Sequence, residues 1–465
     1  MKSRITPGNN PLPAAAPPAR SPVRSSFRQK AVAHQRGGMK LAYVGILFFI
    51  LVYFARPNDW IPGMAFFPFA KIAGVVALAG FLFSLLQQPQ GVLSLPTEIR
   101  LVLFLFVHLL LTIPFSTWRG GSFNVVVEGF SKVVLIALCL SLIVTTLPRL
   151  RLLVFLQTGA VVVMAFLVAA GKGTVTVAAA GELVRIGGFG ALANPNEFAF
   201  ACSLVFPFAI AFVLGTRNIL LKLLWALGAV AMAYGVILSL SRGGLLALVA
   251  GTIFVLWEFG VRGRRPHLVL ITLVLAVGLL LASPGGFGRR VESMFDASKD
   301  ETGSSWARWT LLYKARDAAL KNPIFGLGPG NFQALEGTFW HGAHNTYALL
   351  AAEAGFPALI LFLLILYKSF QNLRRTIEVS KSSPKTLLLA GALRANLACY
   401  VIGAFFGDSA YHFFPYLLVG YISALHRIVM ASEATEVSAR QAVEGTPGSQ
   451  EGGNGREHQL AWTAR

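Results

Sequence analysis

Residues 219–259 read ILLKLLWALGAVAMAYGVILSLSRGGLLALVAGTIFVLWEF. Two long apolar stretches flank a single polar step, Ser241-Arg242-Gly243-Gly244. Each stretch approaches the ~20 residues that carry a helix across ~30 Å of hydrocarbon. The same pattern recurs outward in both directions, in Val125–Leu147, Leu152–Ala170 and Tyr347–Leu366. A membrane-spanning strand barrel would instead show short alternating segments. The sequence therefore predicts an all-α polytopic membrane protein.

Composition supports this. The chain has 465 residues, 55% hydrophobic and 13% charged, against roughly 25% charged in an ordinary soluble domain. Its mean hydropathy is +0.64. About twelve spans are expected, near 41–55, 66–86, 100–116, 125–147, 152–170, 197–214, 219–238, 243–259, 267–282, 346–367, 386–407 and 415–430. The expected organisation is a disordered cytoplasmic tail at 1–38, a membrane domain at 39–430 and a second disordered cytoplasmic tail at 431–465. The first run begins near Leu41, too far in for a usual cleavable signal, and is expected to be a retained span.

The formal net charge of +20 does not point to nucleic acid. It collects in the N-terminal tail and in short loops beside apolar runs, where clusters of Lys and Arg set orientation. With the N-terminus inside, the inner loops gather Arg149 and Arg151, Arg217 and Lys222, Arg262, Arg264 and Arg265, and then Lys368, Arg374, Arg375, Lys381 and Lys385. The outer loops hold mostly single cations. Both termini are expected inside, and Arg185, Arg242, His344 and Asp408 all fall on the outer face. The three cysteines, Cys139, Cys202 and Cys399, lie in apolar runs and suggest packing rather than a disulfide or metal set.

The outer segment 283–345 is far longer than a usual connection. Within it Trp306, Trp309, Leu312, Tyr313 and Leu320 recur near helical spacing. An amphipathic helix lying at the membrane interface would explain them. A helix packed on the loop's own small core would do so equally.

Several residues have chemistry to offer. His344 opens His344-Asn345-Thr346-Tyr347 directly before a long apolar helix. Asn or Thr there can cap the helix, and its N-terminus favours negative charge. A histidine at that point can act as a base or donate to phosphate; the plainer alternative is an interfacial histidine that only caps or hydrogen-bonds. Arg242 is costly at its depth unless paired or near water, with snorkelling to headgroups as its alternative. Arg185, in a Gly-rich loop before Asn194-Pro195-Asn196-Glu197, has the planar guanidinium suited to phosphate. Asp408 and His412 could orient His344 or bind sugar. Glu128 and Lys132, four apart in one span, suggest a buried ion pair. Gly326-Leu327-Gly328-Pro329-Gly330-Asn331 lacks the context of a phosphate-binding P-loop and reads as a tight turn.

Taken in order, several of these motifs resemble one family. They are Arg185 with Gly188-Phe189 and Asn194-Pro195-Asn196-Glu197-Phe198, Ser241-Arg242-Gly243-Gly244, Arg308-Trp309, Asn322-Pro323 through Phe332, and His344-Asn345-Thr346-Tyr347 with Glu353-Ala354-Gly355-Phe356-Pro357. The series is similar to the O-antigen ligase and polysaccharide polymerase superfamily of bacterial inner membranes. That resemblance implies a GT-C-like, metal-independent, inverting glycosyltransferase without a cofactor. It would move a glycan from undecaprenyl pyrophosphate to a glycan, lipid A core or other hydroxyl acceptor at the periplasmic face. It implies His344 as base, with His341 three residues earlier as a competitor. Arg185 and Arg242 would engage pyrophosphate, and Arg308, Asn345 and Asp408 would line the substrate site. The absence of an obvious Asp/His cluster on the outer face suits metal independence. A polymerase of the same superfamily and a lipid-linked sugar transporter or flippase are the rival expectations; for the rival transporter no internal repeat is evident.

Overall fold

The computed structural model describes residues 40–55, 57–61, 63–64, 66–86, 95–177, 184–283, 287–288, 291–292, 296, 304–335 and 342–444. The tail expected at 1–38, the last residues of the tail expected at 431–465, much of 284–303 and His341 lie outside the described residues.

Every one of the expected apolar runs folds as a helix, and the protein is an all-α polytopic membrane protein. In chain order the helices are α1 (Lys40–Ala55), α2 (Phe69–Leu86), α3 (Thr97–Phe115), α4 (Arg119–Ile143), α5 (Leu147–Ala169), α6 (Pro195–Gly215), α7 (Ile219–Leu238), α8 (Arg242–Val261), α9 (His267–Leu281), α10 (Ser304–Lys321), α11 (Thr346–Val379), α12 (Pro384–Gly403) and α13 (Phe413–Glu444). Among the described residues nine of them, α3 to α8 and α11 to α13, are long and apolar enough to cross a membrane; α1, α2 and α9 supply shorter apolar stretches. One small hairpin interrupts the helices. Its strands, β1 (Thr174–Val177) and β2 (Val184–Gly187), pair antiparallel with Thr176 opposite Arg185. The last helix runs to Glu444, well past the boundary expected at 430.

At the centre, α6 packs on α7, α8 and α12, and small residues let the backbones close in, as is usual where helices meet in lipid. A Cβ at Gly244 of α8 would lie 2.4 Å from Cβ of Ala199, and one at Gly403 of α12 would lie 2.1 Å from Phe200. By contrast α9 buries none of its residues.

Helix α11 is broken on purpose. Gly355 stands at φ 78°, ψ 175° in its middle, and Pro357 follows it without an N–H. The carbonyls released by the kink are all taken up. Leu327 N–H donates to Ala352 O at 2.9 Å and Gly328 N–H to Glu353 O at 2.8 Å. Nε2 of His108 lies 2.8 Å from Ala354 O. Phe356 N–H turns instead to Pro323 O at 2.8 Å. The Gly326–Asn331 stretch is thus the tight turn the sequence suggests. Gly326, Gly328 and Gly330 all have positive φ, at 66°, 97° and 80°, so it can lie flat on the kink. Buried Glu353 fastens it by accepting from Phe332 N–H at 3.0 Å.

The long segment before α11 also has its helix. In α10, Leu311, Ala315 and Ala318 face a small core with Leu327, Phe332, Ala343, Leu349 and Ala352. Trp306, Trp309, Tyr313 and Leu320 point the other way and are exposed. The packed face is the one expected of a helix on the loop's own small core.

The ion pair expected between Glu128 and Lys132 is not formed. Both side chains are exposed, and no ion pair joins them among the described residues. Residues Asn124–Phe130 of α4 form a π turn. Its wider turn displaces the register that brings positions four apart together in an α-helix.

Candidate active site

The candidate residues converge on one end of the helix bundle. Helices α7 and α8 meet there in the turn Ser239-Leu240-Ser241, in which Leu240 is held at φ 50°. Ser241 caps α8, its Oγ accepting from Gly244 N–H at 3.2 Å. Arg242, the first residue of α8, is consequently buried, at 7% exposure. The two glycines after it explain the depth: a Cβ at Gly243 would stand 2.5 Å from Cβ of Phe406. Only a bare backbone lets the N-terminus of α8 press on the 404–412 loop and on α6 together.

Asn196, in the first turn of α6, joins the arginine-bearing segments. Its Oδ1 accepts from Arg185 Nη2 at 2.7 Å and from Ser241 Oγ at 2.9 Å. Arg185 Nε also donates to Ser239 O at 2.9 Å. The β hairpin therefore hangs by Arg185 from the α7–α8 turn. Asn194 supports this by capping α6, accepting from Asn196 N–H at 2.8 Å.

The histidine stands on the other side of the 404–412 loop. His344 adopts φ 51°, a left-handed conformation uncommon outside glycine and asparagine. That bend lets Asn345 cap α11, its Oδ1 accepting from Tyr347 and Ala348 N–H, both at 3.0 Å. Asn345, expected as a substrate contact, is thus first a cap.

Thr346 then stitches α11 to the loop. Its hydroxyl donates to Gly407 O at 2.6 Å, lies 3.0 Å from Ser409 Oγ and accepts from Ser409 N–H at 3.0 Å. Tyr400 OH reaches the same Ser409 Oγ at 3.0 Å. Between the two bonded positions sits Asp408. Its Oδ2 lies 3.6 Å from Nδ1 of His344.

Burial pushes the Asp408 carboxyl up to about 6, and the nearby Glu197 carboxylate adds to the rise. The backbone N–H groups of Asn345 and His344 and the Arg308 guanidinium pull it back down. Arg308 of α10 therefore acts electrostatically on this carboxylate. Close by, Nδ1 of His412 lies 3.8 Å from Oε2 of Glu197.

So Arg185 and Arg242 belong to one cluster, tied through Asn196 and Ser241, and His344, Arg308 and Asp408 to another. Phe406, against Gly243, and Gly407 and Ser409, bonded to Thr346, make the 404–412 loop the bridge between them. A base with an acid behind it, a buried arginine at a helix N-terminus and a second, half-buried arginine nearby can together deprotonate a hydroxyl and hold an anion.

Asn196, Glu197, Ser241, Ser409 and Glu353 carry much of this geometry, yet none stands out as a site residue in sequence. Asn-Pro-Asn-Glu gives a local signal as a turn and helix cap, without showing that it meets Ser241 or His412. For Ser409 no signal exists.

Residues 227–363 match the O-antigen ligase family, Wzy_C. The match runs from the middle of α7 to the middle of α11 and takes in Arg242, Arg308 and His344. No curated protein matches the chain.

Proposed function

We propose, from the premise that this chain belongs to the O-antigen ligase superfamily, that it transfers a glycan from undecaprenyl pyrophosphate to an acceptor hydroxyl at the periplasmic face of the bacterial inner membrane. The acceptor hydroxyl gives its proton to His344 as its oxygen bonds to the anomeric carbon. The bond from that carbon to the pyrophosphate oxygen breaks, and undecaprenyl pyrophosphate leaves with the electron pair. Attack from the face opposite the leaving group inverts the centre.

Asp408 orients the imidazole and stabilises its protonated form. Arg242, with the N-terminus of α8, stabilises charge developing on the departing pyrophosphate, where one such donor is typically worth ~3–4 kcal/mol of barrier. Arg185 adds a second guanidinium and holds the loop that carries it. Arg308 contributes positive charge beside Asp408, and the Asn345 amide faces the sugar.

The observation that carries this reading is that His344 pairs with Asp408, which lies on the same loop that Arg242's helix presses against. The test is transfer by purified protein from a synthetic lipid-linked donor to lipid A core. A new glycosidic bond is expected, with no activity in His344→Ala. Movement of the donor across vesicles without any new bond would overturn the proposal in favour of a flippase. Extension of one lipid-linked chain by another, with lipid A core left unmodified, would move it to polymerase.

A further inference from the structure

At the end of the bundle opposite His344, helices α5, α6 and α12 leave a narrow, open slot between them. Its walls are apolar: Val154 from α5, Phe208 and Phe212 from α6, Leu388 and Leu389 from α12. Its rim holds two cations, Arg151 in the opening turn of α5 and Lys385 in that of α12. No acidic residue lines it.

Several other cations on this half of the protein are already engaged. Arg149 lies over the Tyr43 ring. Arg262 and Arg394 pair with Glu258, and Arg374 with Glu378. Arg427 donates to Ser141 O. Arg151 and Lys385 make no ion pair or hydrogen bond among the described residues. Both also stand at helix N-termini, whose dipoles add to the attraction for an anion.

We propose that this slot binds one anionic glycerophospholipid. Its phosphodiester sits between Arg151 and Lys385, and one acyl chain lies along Phe208 and Phe212. The rim supplies charge for the headgroup and the walls supply surface for the chain; free phosphate lacks the chain, and a zwitterionic lipid brings its own ammonium against the two cations. Basic recesses between membrane helices are suited to such headgroups. The site stands apart from the His344 end and needs nothing from the transfer reaction.

The test is native mass spectrometry of the full chain released from nanodiscs of equimolar phosphatidylglycerol and phosphatidylcholine. The wild type should retain one phosphatidylglycerol. Arg151→Gln with Lys385→Gln should retain it about thirtyfold less, the loss expected for two surface cations. Ala211→Trp, which fills the slot while keeping both charges, should lose it as well. Arg217→Gln, a cation outside the slot, should behave as wild type. Equal retention of phosphatidylcholine, unchanged retention in the double variant, or displacement of phosphatidylglycerol by equimolar polyprenyl phosphate would each overturn the assignment.

Discussion

Nδ1 of His344 lies 3.6 Å from Oδ2 of Asp408, and one neighbouring threonine sets the distance from both directions. Thr346, two residues after the histidine, bonds Gly407 and Ser409 on either side of the aspartate. The pairing is therefore a property of two backbones locked together, more than of two side chains that happen to meet.

Removing the imidazole tests the base directly. His344→Asn keeps a residue that tolerates a positive φ, so α11 should still begin at the same place. Transfer by the purified variant should fall about 10²- to 10⁴-fold, with the thermal melting temperature close to wild type.

The carboxyl of Asp408, raised to about 6, should give the proposed transfer an acidic limb. Asp408 must be ionised to support a protonated His344, so the rate should climb as pH rises through about 6. Asp408→Asn should lower the rate and flatten that limb. The stability effect has the opposite sign. The native pKa is raised, so the contribution of this group is fully present below its unfolded value of 3.8 and is lost as pH rises through about 6. Chemical denaturation from pH 4 to 7 should show that loss in wild type and not in Asp408→Asn.

Arg242→Lys keeps the charge but discards the planar fork. Transfer should drop on the order of 10²–10³-fold, through kcat more than KM, in steady-state assays with varied donor. A drop confined to KM would assign the arginine to ground-state binding alone.

Gly342 leaves no room for a side chain, since a Cβ there would sit 2.1 Å from Oδ2 of Asp408. Gly342→Ala should push the carboxylate off the histidine and reduce transfer at least tenfold, an order-of-magnitude expectation for a misplaced catalytic group. Membrane insertion, followed by protease protection, should be unchanged.

The outward aromatic face of α10 should meet lipid. Trp306 and Trp309 are 75% and 60% exposed, and aromatic rings of this kind settle at the headgroup level. Brominated phospholipids should quench the fluorescence of the wild type more strongly than that of Trp306→Phe/Trp309→Phe.

Much of this architecture was legible in the chain. Apolar runs of spanning length forecast the helices, because lipid leaves the backbone few other ways to satisfy itself. The grouping of Arg185, Arg242, His344 and Asp408 at one end followed from counting spans. The hidden parts depend on contacts distant in sequence. Asn196 looks like any helix cap until Ser241 arrives beside it, and Glu353 looks like an unwelcome charge in a span until Phe332 is folded over it. The π turn in α4 likewise has no local signature, and it undid the expectation for Glu128 and Lys132. Gly355 and Pro357 do mark a kink, yet the partners that stabilise it, Leu327, Gly328 and His108, are invisible from the kink alone.

The bridge formed by residues 404–412 has a practical bearing on how such proteins can be recombined. The family match stops at residue 363, whereas Asp408, Ser409 and His412 come later and Asn196 and Glu197 come earlier. A chimera that grafts only the matched stretch onto a relative would inherit His344 without Asp408 and Ser241 without Asn196. Cutting upstream of β1 and downstream of the 404–412 loop keeps Arg185, Asn196, Ser241, His344 and Asp408 together as one inheritable block.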